Sequence, residues 1–298
     1  MPIFTPLPNK QIHFKNKTLN LAEPKVMGVL NVTPDSFSDG GRFDTVENAL
    51  RHCEEMLNYG ADIIDIGGES TRPNAAIVST DTELERVVPV ISAVRQNFGN
   101  DVWLSIDTSN PAVMQAAINA GADIINDVRG LRKDGAAQVA AALDCPVIIM
   151  HSRGEPTTMN SLARYTDVIS EVKSELQTAI TAAKSAGVRH ENIIIDMGMG
   201  FAKDHVHHQK LLANLHEFIT HFDLPMLFGV SRKRFLGECL NAMSLEYLNN
   251  HTAQDRDNIG TLAHIFALQQ GASIVRVHDV KPMVQAAKFW QMMSAFDR

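Results

Sequence analysis

The chain has 298 residues, 45% of them hydrophobic and 20% charged, with a formal net charge of −7. This is ordinary globular composition with enough chain for one sizeable core; the acidic balance disfavours nucleic acid as a partner, and no apolar run approaches the roughly 20 residues of a membrane span. Three cysteines (Cys53, Cys145, Cys239) without metal spacing, and a start at Met1–Lys10 without an apolar signal core, point to a soluble protein of a reducing cytoplasm.

In chain order, Ile12–Phe14 and Leu19–Leu21 flank Lys15–Thr18 and predict an N-terminal hairpin capping the bottom of the main core. The first core strand is expected at Val26–Val32. It runs into Asn31-Val32-Thr33-Pro34-Asp35-Ser36-Phe37-Ser38-Asp39-Gly40-Gly41, a polar stretch whose usual reading is a solvated turn and whose Pro and paired Gly also suit a mobile lid. A repeated device then appears. Helical segments end in Gly-Ala and pass into short apolar runs: Gly60-Ala61 before Ile63-Ile64, Gly121-Ala122 before Ile124-Ile125, and Gly271-Ala272 before Ile274-Val275. Glycine past a helix end takes the left-handed conformation that stops the helix, and continuous apolar runs suit strands covered on both faces.

Four further strands are predicted at Val102–Thr108, Pro146–His151, Ile193–Met197 and Pro225–Ser231. Between strands lie helical segments such as Thr82–Gln96, Pro111–Asn119 and Val168–Ser185, and Met283–Phe296 closes the chain as an amphipathic helix. Eight strands alternating with helices imply parallel pairing by right-handed crossovers, which over roughly 250 residues closes most economically as a (β/α)8 TIM barrel. A doubly wound sheet is the rival, but Asn31–Asp39 is no G-x-G-x-x-G. One domain spanning residues 1–298 is expected, the hairpin falling in 1–24 and the barrel strands between 26 and 279.

Barrel sites lie at strand C-termini, so the polar residue closing each strand matters. These are Asn31; Asp65 with Glu69, Thr71 and Arg72; Asp107; Asn126 and Asp127; His151; Asp196; Ser231, Arg232 and Lys233; and Arg276, His278 and Asp279. Any one of them reads equally as a cap or turn former; eight together, mixing acids, amides and cations, do not. In Asp65-Ile66-Gly67-Gly68-Glu69-Ser70-Thr71-Arg72-Pro73 the glycines admit a ligand to backbone and Arg72 offers a charged fork, while Asp65 also reads as an interior structural acid. His205, His207 and His208 read as a solvated face rather than a metal site.

Asn31–Gly41 and Asp65–Pro73 resemble the two signature segments of the dihydropteroate synthase family. The resemblance continues in order through Ser105–Thr108, Ile125–Asp127, Met150-His151, Asp196 with Gly198 and Gly200, Ser231–Lys233 and Arg276–Asp279. It implies condensation of (7,8-dihydropterin-6-yl)methyl diphosphate with 4-aminobenzoate. Carried over, Asp107, Asn126, Asp196 and Lys233 would bind the pterin, with Met150 as core or pocket wall. Arg276 and His278, with Asn31 and Thr71, would handle the diphosphate, Val277 would also bind substrate, and Asn31 would give Mg2+ its protein oxygen. Phe37, Thr71 and Pro73 would shape the aminobenzoate slot, Arg72 would bind substrate, and Asp39 would be a loop carboxylate near the departing group. Asp107, Asp196, Lys233 and Asp39 are thereby the catalytic candidates, and a homodimer is implied. The chain departs from the family's usual Asp-Pro-Gly-x-Gly-Phe-Gly-Lys at Met197 and Ala202, and has Asn74 and Ser152 where Gly and Met are frequent. The alternatives are a folate-to-corrinoid methyltransferase barrel, which lacks the Asn31 loop and Ser231-Arg232-Lys233, and a non-catalytic pterin-binding paralogue, which has no need to keep the charged rim.

Overall fold

The computed structural model describes residues 7–8, 10–33, 42–70 (42–44 by their backbone), 78–243 and 251–296. Strands β1 (Gln11–Phe14) and β2 (Lys17–Asn20) pair antiparallel, with Ile12 opposite Leu19. Their apolar side is buried, and Lys17 Nζ donates to Val102 O at 2.7 Å and Asp123 Oδ2 at 2.6 Å. Both acceptors precede barrel strands, so the hairpin closes the bottom, opposite the strand C-termini.

The barrel strands are β3 (Lys25–Asn31), β4 (Ile63–Gly67), β5 (Trp103–Asp107), β6 (Ile124–Asp127), β7 (Val147–Met150), β8 (Ile193–Asp196), β9 (Leu227–Phe228) and β10 (Ile274–Val277). From β3 to β8 each pairs parallel with the next; β10 pairs with β3 and with β9. A parallel bridge from Ile195 to Met226 joins β8 to the start of β9 and completes the circle. The predicted TIM barrel is the fold observed. All five residues of β4 and all four of β6, β7 and β8 are buried, as expected of parallel strands with packed interiors and a helical jacket.

The jacket comprises α1 (Arg42–Asn58), α2 (Thr80–Phe98), α3 (Pro111–Ala120), α4 (Ala136–Leu143), α5 (Val168–Ser185), α6 (His205–Ala213), α7 (Leu215–Phe222), α8 (Arg234–Ala242), α9 (Asp257–Gln269) and α10 (Val280–Ser294). Starts follow local chemistry: Ser79, Asn110 and Asp167 each cap the helix after them with a side-chain acceptor, and Pro111 occupies the first turn of α3. Two extents differ from the sequence reading. The strand expected over Pro225–Ser231 keeps its ladder only over Leu227–Phe228, because the Val230 N–H turns to His264 Nε2 at 3.4 Å. The last helix begins at Val280 rather than Met283, starting as soon as Asp279 leaves the strand.

Candidate active site

Register assembles the site. Asn31 pairs with Gly67, Gly67 with Asp107, and Asp107 with Asn126, so one rung crosses four neighbouring strands at the barrel mouth. Neighbours on a rung point to the same face, which places Asn31, Asp107 and Asn126 together. Glycine at the centre of the rung keeps the space clear: a Cβ on Gly67 would stand 3.5 Å from Asp107 Cβ and 3.6 Å from Asn31 Oδ1.

Asp65 lies two residues below Gly67 on the same face, fully buried. It accepts from Arg276 Nε at 2.6 Å and Asn126 Nδ2 at 3.1 Å. Arg276 Nη2 donates to Asp107 Oδ2 at 2.8 Å. The guanidinium of β10 thus reaches past β3 to tie acids on β4 and β5. Asp65 is the deep anchor of Arg276, and Asp107 is the acid nearer the mouth. Burial pushes the Asp107 carboxyl up to about 7, with Arg276 opposing.

The turn after β8 builds the other wall. Asp196 Oδ1 accepts from Gly198 N at 2.7 Å, and the Lys233 ammonium donates to Met199 O. Gly198 has φ +68° and a Cβ there would sit 1.8 Å from His151 O; Gly200 has φ +89° and a Cβ there would meet Lys233 Cδ at 2.8 Å. Gly198 is therefore obligatory for the backbone path, and Gly200 takes a strained φ without cost while leaving the Lys233 side chain its seat. Lys233 Nζ also lies 4.8 Å over the ring of Phe201. Burial pushes Asp196 up, with Lys233 opposing, and pushes the Lys233 ammonium down to about 8, with Asp196 opposing. The departures are absorbed here. Met197 and Met199 are buried in the core, while Ala202 keeps the left-handed φ of +49° that glycine would take freely.

Met150 shares a rung with Asp196 and is buried beside it. Val277 follows Arg276 on β10, so it alternates to the opposite face and joins the hydrophobic core. The His278 backbone N–H donates to the Ser231 hydroxyl at 3.1 Å, and His278 Nδ1 bonds the same hydroxyl at 3.0 Å, which fixes the ring at the rim. The first turn of α8 opens directly after Lys233 with no side-chain cap. Phe37, Asp39, Thr71, Arg72 and Pro73 lie outside the described residues.

Several strand-end residues serve the scaffold. Asp127 takes hydrogen bonds from the Ser109 hydroxyl and from Arg129 N and Leu131 N, each of the latter at 2.8 Å, and shapes its own loop. Arg232 forms a two-pronged pair with Asp257. His208 corrects the solvated-face reading: it is buried, and its Nε2 accepts from Gly200 N at 2.8 Å, bracing the turn after β8. His207 closes a capping box with Asp204. Among the described residues no group of three or more His, Cys, Asp or Glu could hold a metal. Residue-by-residue reading missed Phe201, Lys203 and the bond from Asp65 to Arg276. The aromatic and lysine following Gly200 were visible signals, but only coordinates show where they point.

The arrangement is a deep mouth with acids and an amide on one side, a lysine over an aromatic ring on another, and an arginine between. It suits a flat heterocycle rich in N–H donors with an anionic substituent. The pterin-binding enzyme family model matches residues 27–278. The dihydropteroate synthase of Escherichia coli is 46% identical over 272 residues, covering 91% of this chain and 92% of that protein. The structure of the Yersinia pestis dihydropteroate synthase with a sulfonamide drug complex superposes with a TM-score of 0.87 at 43% identity, covering 96% of this chain and 99% of that one. That of the Xanthomonas albilineans enzyme in complex with 7,8-dihydropteroate gives 0.83 at 39% identity, covering 96% and 99%. The chain belongs to the pterin-binding enzyme family and, within it, to the dihydropteroate synthases.

Proposed function

We propose that this chain joins (7,8-dihydropterin-6-yl)methyl diphosphate to 4-aminobenzoate, releasing diphosphate and 7,8-dihydropteroate, through the residues gathered at the barrel mouth. The observation that carries this is the convergence of Asp107, Asn126, Arg276 and the Asp196–Lys233 wall on one opening. Asp107, Asn126 and Asp196 take the N–H groups along the pterin edge, and Lys233 donates to the ring carbonyl and N5. Arg276 lays its plane on the ring while its charge faces the diphosphate, with His278 beside it.

In the reaction the bond from the pterin methylene to diphosphate oxygen breaks, the aminobenzoate nitrogen forms the new C–N bond, and that nitrogen loses a proton to water. The Asp107 and Asp196 carboxylates stabilise the positive charge that the ring spreads from its methylene as diphosphate departs. The N–H groups opening α8 receive the aminobenzoate carboxylate. Thr71, Arg72, Phe37, Pro73 and Asp39 complete the site from the two loops in this reading.

Mg2+ belongs to the same proposal. Asn31 fits it: a half-buried carboxamide closing β3, its Oδ1 facing Gly67 on the Asp107 side of the mouth, offers the single neutral oxygen that suits an ion keeping phosphate oxygens and water around it. When bound, the ion neutralises charge on the departing diphosphate. We further propose a homodimer, supported by Leu262 and Phe266 on α9 and Phe289, Met292 and Met293 on the adjoining α10, all apolar and exposed. Residence in a reducing cytoplasm is supported by three free cysteines, with Cys53 and Cys145 buried and their thiols pushed up to about 12 by burial.

The test is magnesium-dependent diphosphate release with both substrates present. Release that needs 4-aminobenzoate and yields a product with the mass of 7,8-dihydropteroate supports the proposal. Pterin binding without release would assign the chain to the non-catalytic alternative.

A further inference from the structure

Lys203 is an almost fully buried lysine that touches no carboxylate among the described residues. Its three N–H groups go to His151 Nδ1 at 2.8 Å, Gly198 O at 3.0 Å and Phe201 O at 3.0 Å. An ammonium has three donors and no acceptor, so its hydrogen bonding is saturated in this position. Withdrawing such a group from water is costly without this full set of partners.

The two carbonyls are the ends of one four-residue turn. Inside it, Met199 O holds the Lys233 ammonium, and Gly198 N–H holds Asp196. The turn is closed by Phe201 N–H donating to Gly198 O at 3.1 Å and braced by Gly200 N–H donating to His208 Nε2 at 2.8 Å, while its two glycines add no side chain to hold its ends. Lys203 adds a further constraint by bonding the carbonyls at both ends at once. The clamp is itself anchored. His151 accepts from Lys203 at Nδ1, so its hydrogen sits on Nε2 and is donated to Glu175 at 3.0 Å, while the His151 backbone N–H donates to Asp196 O at 2.9 Å. Glu175 is held in turn by Arg153 at 3.0 Å.

We propose that Lys203 is a positioning residue for the pterin half of the substrate: it clamps the Gly198–Phe201 turn, thereby setting the places of Lys233 and Phe201, with His151 and Glu175 as its tether. It does not touch substrate. The diphosphate end is built on Arg276, His278 and Asn31, from β10 and β3 rather than from this turn. The inference rests on the proposed pterin site.

The experiment titrates wild type and Lys203→Met separately with 6-hydroxymethyl-7,8-dihydropterin and with inorganic diphosphate in the presence of Mg2+. The expected result is a loss of at least about tenfold in pterin affinity, the scale of a removed charge-assisted contact, with diphosphate affinity changed by less than about twofold. Unchanged pterin affinity in the folded variant, or an equal fall for both ligands, overturns the inference. If Lys203→Met does not fold, Glu175→Ala decides by the same ratio: a selective fall of about threefold in pterin affinity supports the tether, and none overturns it. A wild-type chain that binds no pterin overturns the functional reading together with this one, and is distinguished by appearing before any substitution is made.

Discussion

Arg276 Nε donates to Asp65 Oδ2 at 2.6 Å, a bond between residues 211 positions apart that fixes the guanidinium at the base of the mouth. Asp65 has no exposed surface, and its remaining named donor is Asn126. Substituting Arg276→Met strands a buried carboxylate. Loss of one partner of a buried pair costs about 3–5 kcal/mol, and the surviving Asn126 bond places the expected loss near about 3 kcal/mol. Urea unfolding measures it; a change under about 1 kcal/mol would show that Asp65 does not depend on its arginine.

Asp196→Asn and Lys233→Ala each remove a charge from the wall opposite Asp107. Each is expected to lower kcat/KM by well over roughly tenfold, the scale of one charge-assisted hydrogen bond made to the reacting ligand. Steady-state assays with both substrates check this. Turnover like wild type in both variants would remove the pair from the site.

The pH dependence follows from burial. Asp107 is pushed up to about 7 and Lys233 down to about 8. A site working with Asp107 ionised and Lys233 protonated loses kcat/KM as pH falls below about 7 and as it rises above about 8. Lys233→Arg keeps its charge at every accessible pH, so the residual activity of that variant is expected to lack the alkaline limb. An alkaline limb that persists unchanged would assign it to another group.

Ala202 holds a φ of +49°, a conformation that costs an L-residue about 1–2 kcal/mol and glycine almost nothing. Glycine loses more backbone entropy on folding, by about 0.5–1 kcal/mol. Ala202→Gly is therefore expected to raise stability by about 0.5–1 kcal/mol, seen as a higher urea midpoint. A lower midpoint would mean that the alanine methyl packs well enough to outweigh its strain.

Acid sensitivity has a named source. Burial, with Lys203 adding repulsion, pushes both His151 and His208 down to about 3. Unfolded histidine titrates near about 6.5, so below that pH the unfolded chain binds protons that the native one refuses. Stability is full above about pH 6.5 and falls by about 1.4 kcal/mol per pH unit per histidine towards pH 3. Urea midpoints of wild type and His151→Gln between pH 6.5 and 5 test it: the variant is expected to show a shallower slope, and equal slopes would clear His151.

Much of the site was legible because parallel strands in a closed barrel all end on one face. Asp107, Asn126, Asp196, Lys233 and Arg276 could be picked as strand-closing residues, and the mouth does hold them. What was not legible was pairing. Asp65 and Asp107 are both acids near the ends of short apolar strands, yet only the register separates the anchor from the acid at the rim. His208 sat in a histidine-rich polar stretch whose periodicity says solvent; its burial under Gly200 depends on how α6 meets the turn after β8.

The sequence by itself determined the eight parallel strands, the hairpin beneath them and the set of polar residue types at their ends. Periodicity, Gly-Ala helix stops and apolar runs are local properties, and a barrel is the closure they permit. The tertiary structure alone decided which of those residues hold one another: Arg276 on Asp65 and Asp107, and Lys203 on His151 and both ends of its turn. Hydrogen bonds and ion pairs act over about 3 Å, and separations that small between distant chain segments are set by strand register and helix seating, which no local stretch of sequence encodes.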